Sequence, residues 1–106
     1  MRSELSGYEG KFGKWCATVD GFSVERGTGK RVLLVKDLVD KHGDHVADHV
    51  WLPWYRLPTY GWMEKGTPFE FTGRVEAYRK LDEQKRLYVT DFEIVSIINI
   101  KRVECY

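Results

Sequence analysis

The sequence has few of the residues that mark unusual classes of protein. It contains two cysteines and three prolines in 106 residues. Because Cys16 and Cys105 lie far apart and make no disulfide framework, we predict a reducing, cytoplasmic-type compartment. No stretch approaches the roughly 20 apolar residues of a membrane span, so no membrane partner is expected.

An excess of one charge and the common catalytic motifs are missing as well. The 17 basic and 16 acidic residues leave a net charge of +1, which excludes a histone-like protein but permits local basic patches. There is no nucleophile elbow, paired-carboxylate signature or dinucleotide-binding glycine pattern. The Gly-Thr-Gly-Lys segment at 27–30 lacks the spacing of a phosphate-binding loop. We therefore predict that the protein is not an enzyme and has no cofactor.

Aromatic residues, in contrast, are abundant. Four Trp, six Tyr and five Phe make up 14% of the chain. A chain of this length forms one domain with a modest core, in which every ring would be difficult to bury. Some rings are therefore expected at the surface, where they favour binding.

The clearest pattern in the chain lies in Gly66–Lys80, where apolar and polar residues alternate. A period of two predicts a strand with one buried and one exposed face. Gly73, on the predicted buried face, indicates a bend or a close approach of another backbone. The residues predicted to face the core are Phe69, Phe71, Gly73, Val75 and Ala77, and those predicted to face solvent are Glu70, Thr72, Arg74, Glu76 and Tyr78.

Strands are predicted on both sides of this segment. In chain order the predicted strands cover residues 11–25, 31–38, 49–55, 66–80 and 86–92. Glycines among the β-branched and aromatic residues of the first strand indicate a long, bent strand with a bulge. A polar turn is predicted over 39–47, and an irregular connection without a full helix over 56–65. Residues 94–103 either extend the fifth strand or form a sixth.

This order predicts an all-β domain, a five- to six-stranded OB-like Greek-key barrel with little or no helix. Three meandering strands, an irregular connection and two or three further strands are the layout of the OB-fold. An SH3-like barrel is the alternative, but the long first strand and the position of the connection favour the OB-fold. The barrel is expected to cover residues 11–103, after a flexible lead-in over residues 1–10.

Three segments also carry a resemblance to a known family. They are Val-Leu-Leu-Val-Lys-Asp at 32–37, Asp-His-Val-Trp at 48–51, and Glu-Lys-Gly-Thr-Pro-Phe-Glu-Phe-Thr-Gly-Arg-Val-Glu-Ala-Tyr at 64–78. From about Tyr8 to Ile98 the chain resembles small OB-type proteins of bacteriophages and mobile elements. That family has no firmly assigned activity, so the resemblance implies a fold rather than a particular function.

The predicted fold suggests a nucleic-acid site. OB barrels bind oligonucleotides on strands 2 and 3, between the 1–2 and 4–5 loops. Both loops are basic here, and aromatic residues lie close to them, which suits a single strand that needs phosphate contacts and stacking surfaces. We therefore predict an accessory protein that binds single-stranded DNA or RNA with little sequence preference. The candidate contact residues are Arg26, Lys30, Arg31, Trp51, Trp54, Tyr55, Arg74, Tyr78, Arg79, Lys80, Lys85, Arg86 and Tyr88.

A plainer interpretation of the same residues stays open. Charged hairpin loops are common because they keep proteins soluble and block edge pairing, and Trp54 and Trp62 would equally suit the open ends of a barrel. The alternative function is a protein–protein interaction module, such as a phage-type inhibitor or an assembly component. An exposed edge strand over Ile94–Ile100 would also allow pairing between chains into a homo-oligomer.

All three histidines fall within eight residues, His42 to His49, together with Asp44 and Asp48. On a helix, His45 and His49 would share a face and could bind zinc. The segment is instead predicted to be a turn that enters a strand, where aspartates bond to nearby backbone amides. We therefore predict that no metal is bound.

Overall fold

Five antiparallel strands form a single sheet. The computed structural model describes residues 7, 10–82, 84 and 86–103. The strands are β1 (Phe12–Val24), β2 (Arg31–Val39), β3 (His45–Pro53), β4 (Pro68–Asp82) and β5 (Leu87–Arg102). The all-β class predicted from the alternation is confirmed. The predicted lead-in over residues 1–10 lies almost entirely outside the described residues.

Helices contribute nothing to this architecture. Apart from a 3₁₀ turn at Gly7, the described residues contain strands, turns and irregular connections but no α-helix, as predicted for the 56–65 connection. Within the same residues, no helix has the length and apolar character needed to cross a membrane.

The order of the strands in the sheet is β3-β2-β1-β4-β5. After the connection that follows β3, β4 returns to lie beside β1, which produces the 4-1-2-3 order of a Greek key. β3 and β5 approach each other, but their described residues share no hydrogen-bonded ladder. The Greek-key prediction is confirmed, whereas the closed barrel is wrong because the sheet stays open between β3 and β5. An OB-type relationship beyond this topology stays a prediction.

β1 is shared between two neighbours and is bent accordingly. Its residues 12–18 pair with β4, and its residues 16–24 pair with β2. The register against β2 shifts between Cys16 and Thr18 and again between Val19 and Gly21. Because bulges increase the local twist and bend a strand, these shifts let one strand serve both neighbours. The long, bent first strand is confirmed.

β3 begins at His45 rather than at His49, so the predicted turn over 39–47 is too long. The turn is shortened by Asp40, whose Oδ1 accepts hydrogen bonds from the amides of His42 at 2.9 Å and Asp44 at 3.0 Å. The chain can therefore enter the strand early, and Val46 is buried in the core.

β5 is one long strand, so residues 94–102 extend the fifth strand and do not form a sixth. Ser96 and Asn99 adopt left-handed backbone angles, with φ of 57° and 53°. They coincide with two shifts of register between β4 and β5. The strand bends at these residues without ending, because each shift absorbs an extra residue.

The core is rich in aromatic rings. The rings of Phe69 and Phe71 lie 5.4 Å apart between centroids, and Trp54 meets Phe69 edge-on at 6.3 Å. Phe69, Phe71 and Val75 are buried as predicted, but Ala77 is exposed, so its assignment to the core was wrong. Beyond Arg74, no residue of β4 pairs with β1. Ala77 lies in this unpaired part of β4, where β1 does not cover it.

A close approach at Gly73 joins β1 to β4. Gly73 pairs in register with Gly13, and the Trp15 Nε1–H donates a hydrogen bond of 3.2 Å to the Gly73 carbonyl. A Cβ atom at Gly73 would overlap the Cγ2 atom of Ile94, and one at Gly13 would lie 2.9 Å from the Trp15 indole. Gly73 therefore leaves room for the side chain of Ile94 on β5, rather than for another backbone as predicted.

Glu70 was predicted to face solvent, and this is wrong, because only 8% of the residue is exposed. Its carboxylate lies 2.7 Å from Lys101 Nζ on β5 and 3.5 Å from Lys14 Nζ on β1. The hydrogen bond from Lys101 lowers the pKa of Glu70, although burial acts in the opposite direction. The same bond raises the pKa of Lys101.

We expect Gly73→Ala to destabilise the protein by about 1–3 kcal/mol, the usual cost of overpacking a core. Urea unfolding would measure the loss. Gly61→Ala is the matched control, because no atom lies within 4 Å of a Cβ there. Equal losses in the two variants would contradict the close approach.

We also expect Glu70→Gln to lower stability at neutral pH and to lose this effect in acid. A carboxyl group with a lowered pKa contributes stability above its unfolded pKa of about 4.3, and this contribution disappears as the pH falls through the folded pKa. The free energies of unfolding of wild type and variant should therefore converge as the pH falls below the unfolded pKa and through the lowered pKa of folded Glu70. A constant difference over the whole range would rule out the ion pair as its cause.

Candidate functional site

Trp51 and Tyr78 line one groove of about 420 Å³ on the surface of the sheet. Trp51 lies on β3 and Tyr78 on β4, so the fold brings together two distant aromatic residues of the predicted site. The other lining residues are Ser23, Val24, Glu25, Val32, Pro53 and Glu93.

One wall of the groove is a row of paired residues across three strands. Ser23 on β1 pairs with Val32 on β2, which pairs with Pro53 on β3. At about 4.8 Å between neighbouring strands, this row is roughly 10 Å wide. Trp51 lies two residues before Pro53 and so shares its side of β3, where 45% of the residue is exposed. The intervening residue, Leu52, faces the core, as the predicted alternation requires.

The other wall belongs to β4 and β5. Tyr78 pairs in register with Asp91, and its hydroxyl donates a hydrogen bond of 3.2 Å to Asp91 Oδ2. The amide of Phe92 in turn donates to Asp91 Oδ1 at 2.9 Å. Asp91 therefore holds the tyrosine ring in place, which lowers the entropy lost when a ligand stacks on it.

Cationic side chains lie over two further tyrosines of the predicted site. Lys30 Nζ and Arg56 Cζ lie 5.3 Å and 5.1 Å from the ring centroid of Tyr55, and we call these three residues the Tyr55 cluster. Arg79 Cζ lies 5.5 Å from the centroid of Tyr88, which we call the Tyr88 pair. The Tyr55 cluster follows Pro53 in the chain. Arg79 is adjacent to Tyr78 on β4, and Tyr88 pairs with Leu81, so alternation places the Tyr88 pair on the opposite face of β4 and β5 from Tyr78. Both present positive charge that aromatic rings hold in place.

Three residues of the predicted site have structural roles instead. Trp54 is fully buried, with its indole N–H donating to the Pro58 carbonyl at 2.9 Å, so it cannot stack on a base. Arg31 donates to the Leu57 carbonyl at 2.7 Å and thereby fastens the connection to β2. Arg74 forms an ion pair with Glu76 on its own strand, away from the groove.

Two further predicted residues have described side chains near the hairpin turns, Arg26 and Arg86. Arg26 is exposed in the turn between β1 and β2, and Arg86 is exposed where β5 begins. Lys85 and the side chain of Lys80 lie outside the part of the chain that the structure describes.

The sequence interpretation missed the two carboxylates in the groove, Glu25 and Glu93. Glu93 pairs with Glu76 and so lies diagonally across from Tyr78, on the same face of the sheet. Alternation places Glu93 on the side of Asp91, but only the register between β4 and β5 sets both beside Tyr78. A basic groove was expected, whereas the charged residues that line it are acidic.

Two of the three histidines, His45 and His49, each lie close to a different aspartate. His45 Nε2 lies 3.1 Å from Asp48 Oδ1, and His49 Nε2 lies 3.7 Å from Asp20 Oδ2. In the described residues, no three side chains of His, Cys, Asp or Glu are grouped so that they could hold a metal ion.

Comparison of the chain with protein families, curated proteins and solved structures gave no match. The resemblance to small phage-type OB proteins therefore stays a prediction. The functional argument rests on the groove and the residues around it.

The role of Arg31 in fastening the connection to β2 can be tested by comparison with Arg26 in the same hairpin. We expect Arg31→Ala to destabilise the protein by about 1–3 kcal/mol, because the carbonyl of Leu57 loses a charged donor. Arg26→Ala, at an exposed turn position, should stay within about 0.5 kcal/mol of wild type. Urea unfolding of both variants measures the difference, and equal stability would mean that Arg31 does not fasten the connection.

Proposed function

We propose that the protein binds single-stranded DNA or RNA along this groove with little sequence preference, as an accessory protein rather than an enzyme. The observation that carries the proposal is that Trp51 and Tyr78, from distant strands, line the same groove. Bases stack against these two rings, and phosphates contact the cations of the Tyr55 cluster, Lys30 and Arg56. A cytoplasmic location and a phage-type origin belong to the same proposal.

The magnitudes suit such a ligand. Base–aromatic stacking contributes about 1–3 kcal/mol per base, and it tolerates any sequence because every base has a flat face. The groove volume of about 420 Å³ falls within the range of small-ligand pockets. Phosphate contacts with the cations of the Tyr55 cluster add affinity that falls as the salt concentration rises.

A protein partner is the second candidate, and the acidic groove favours it. Glu25 and Glu93 beside Trp51 and Tyr78 would accept a lysine or arginine side chain, since rings and carboxylates both attract cations. In this alternative the protein is an interaction module, and Ile98, half exposed on the edge strand β5, extends the contact surface toward a partner or a second copy.

Titrations of labelled DNA and RNA 12-mers at several salt concentrations test the nucleic-acid proposal. Trp51→Ala should weaken binding by about 5- to 150-fold without changing the salt slope, because it removes stacking and not charge. Lys30→Ala with Arg56→Ala should weaken binding to every sequence and flatten the slope by up to about 0.7 for each phosphate that is no longer neutralised.

Two variants serve as controls for this experiment. Lys41→Ala removes an exposed lysine at the opposite end of β2, and Tyr60→Ala removes an exposed ring that does not line the groove. Neither should alter binding. If wild type shows no saturable binding to either strand type at low salt, the nucleic-acid proposal is wrong. Losses in the controls that match those of the groove variants would reject the groove as the site.

A further inference from the structure

We propose that Glu25 and Glu93 make the groove favour bases that carry an exocyclic amino group, cytosine in particular. The inference rests on the proposed function, because it concerns how a base lies in that groove. It adds a modest preference to a binding mode that otherwise depends on stacking and phosphate contacts.

The two carboxylates stand on opposite walls of the groove. Glu25 follows β1, next to the row formed by Ser23, Val32 and Pro53, whereas Glu93 lies on β5 beside Tyr78. Both carboxylates therefore line the same groove as the two rings on which bases would stack, Trp51 and Tyr78. No lysine or arginine is present among the described residues that line the groove.

Glu25 is held in place but keeps capacity to accept hydrogen bonds. Thr28 Oγ1 donates to Glu25 Oε1 at 3.3 Å, and the same Thr28 oxygen accepts a bond of 3.2 Å from the amide of Lys30. A carboxylate offers about four lone-pair sites on two oxygens, so one bond from Thr28 leaves sites for a ligand.

Glu93 is set close to a stacked base by the register of the sheet. Tyr78 pairs with Asp91 and Glu76 with Glu93, so Glu93 is the diagonal neighbour of Tyr78. Diagonal neighbours on one face of an antiparallel pair lie about 7–8 Å apart, which places the edge of a base on the Tyr78 ring within reach of a glutamate side chain.

The chemistry of an ionised carboxylate then discriminates between bases. It can only accept hydrogen bonds, and it repels phosphate, so the bases enter the groove and the phosphates stay outside it. Cytosine presents an amino group at its C4 position, a donor that carboxylates accept in nucleic-acid complexes. Uracil has a carbonyl oxygen at the same position, and its N3–H lies between two such oxygens, which a carboxylate avoids.

The test compares oligo(dC) and oligo(dU) 12-mers, labelled at the 5′ end, by fluorescence anisotropy at pH 8 and fixed low salt. The two bases have the same ring size and differ at the C4 group and at N3. Wild type should bind oligo(dC) at least about fivefold more tightly, as expected for a charge-assisted hydrogen bond that is partly exposed to solvent. The double variant Glu25→Gln, Glu93→Gln should bring this ratio close to one, because a glutamine amide can also donate to the uracil oxygen.

Glu64→Gln is the control, since it makes the same chemical change at an exposed glutamate outside the groove. It should keep the wild-type ratio. Equal and saturable binding of both oligonucleotides to wild type would overturn this inference and leave the proposed function standing. A ratio that persists in the folded double variant would also overturn it, whereas no binding to either oligonucleotide would reject both. If the double variant does not fold, the single variants Glu25→Gln and Glu93→Gln take its place, and an unchanged ratio in both would overturn the inference.

Discussion

The contact of β1 with β4 at Gly13 and Gly73 is the constraint on which the rest of the structure depends. The two glycines are paired in register, and the Trp15 indole donates a hydrogen bond to the Gly73 carbonyl. Side chains at either glycine would displace the Trp15 indole or Ile94. This contact holds the first half of β1 against β4. The second half of β1 is therefore free to curve toward β2. The curvature sets the β1–β2 hairpin opposite β4 and β5, and the groove lies between them.

A side chain whose polar group has a hydrogen-bond partner within the protein can serve a structural role. The side chains without such a role remain available to a ligand. Trp51 and Trp54 are three residues apart, but the N–H of Trp54 finds the Pro58 carbonyl, and its ring can therefore be buried without an unsatisfied donor. Trp51 lies on the outer face of β3. In the same way, the guanidinium of Arg31 donates a hydrogen bond to the Leu57 carbonyl, whereas the ammonium of its neighbour Lys30 lies over the exposed ring of Tyr55.

The near-zero net charge conceals a separation of charge around the groove. Lys30 and Arg56 lie over Tyr55, and the carboxylates of Glu25 and Glu93 line the groove itself. For a single strand, this arrangement favours phosphates at the margins and bases inside. A strongly basic composition is therefore not required for the proposed binding, since a few positioned cations provide the electrostatic contribution.

Local sequence patterns determined much of this protein. Alternation predicted the all-β class, the buried face formed by Phe69, Phe71 and Val75, and the exposure of Trp51, because side chains along a strand alternate between its faces. The glycines of β1 predicted its bend. These features depend on neighbours in the chain, and a single strand is enough to reveal them.

Only the tertiary structure decided which distant residues meet. The open edge between β3 and β5, the burial of Glu70 between two lysines, and the groove shared by Trp51, Tyr78, Glu25 and Glu93 all follow from long-range register. Register depends on bulges and on left-handed residues such as Ser96, whose effect extends over every pair that follows them. A local sequence pattern indicates that a side chain faces solvent, but it does not identify the residues that lie opposite that side chain.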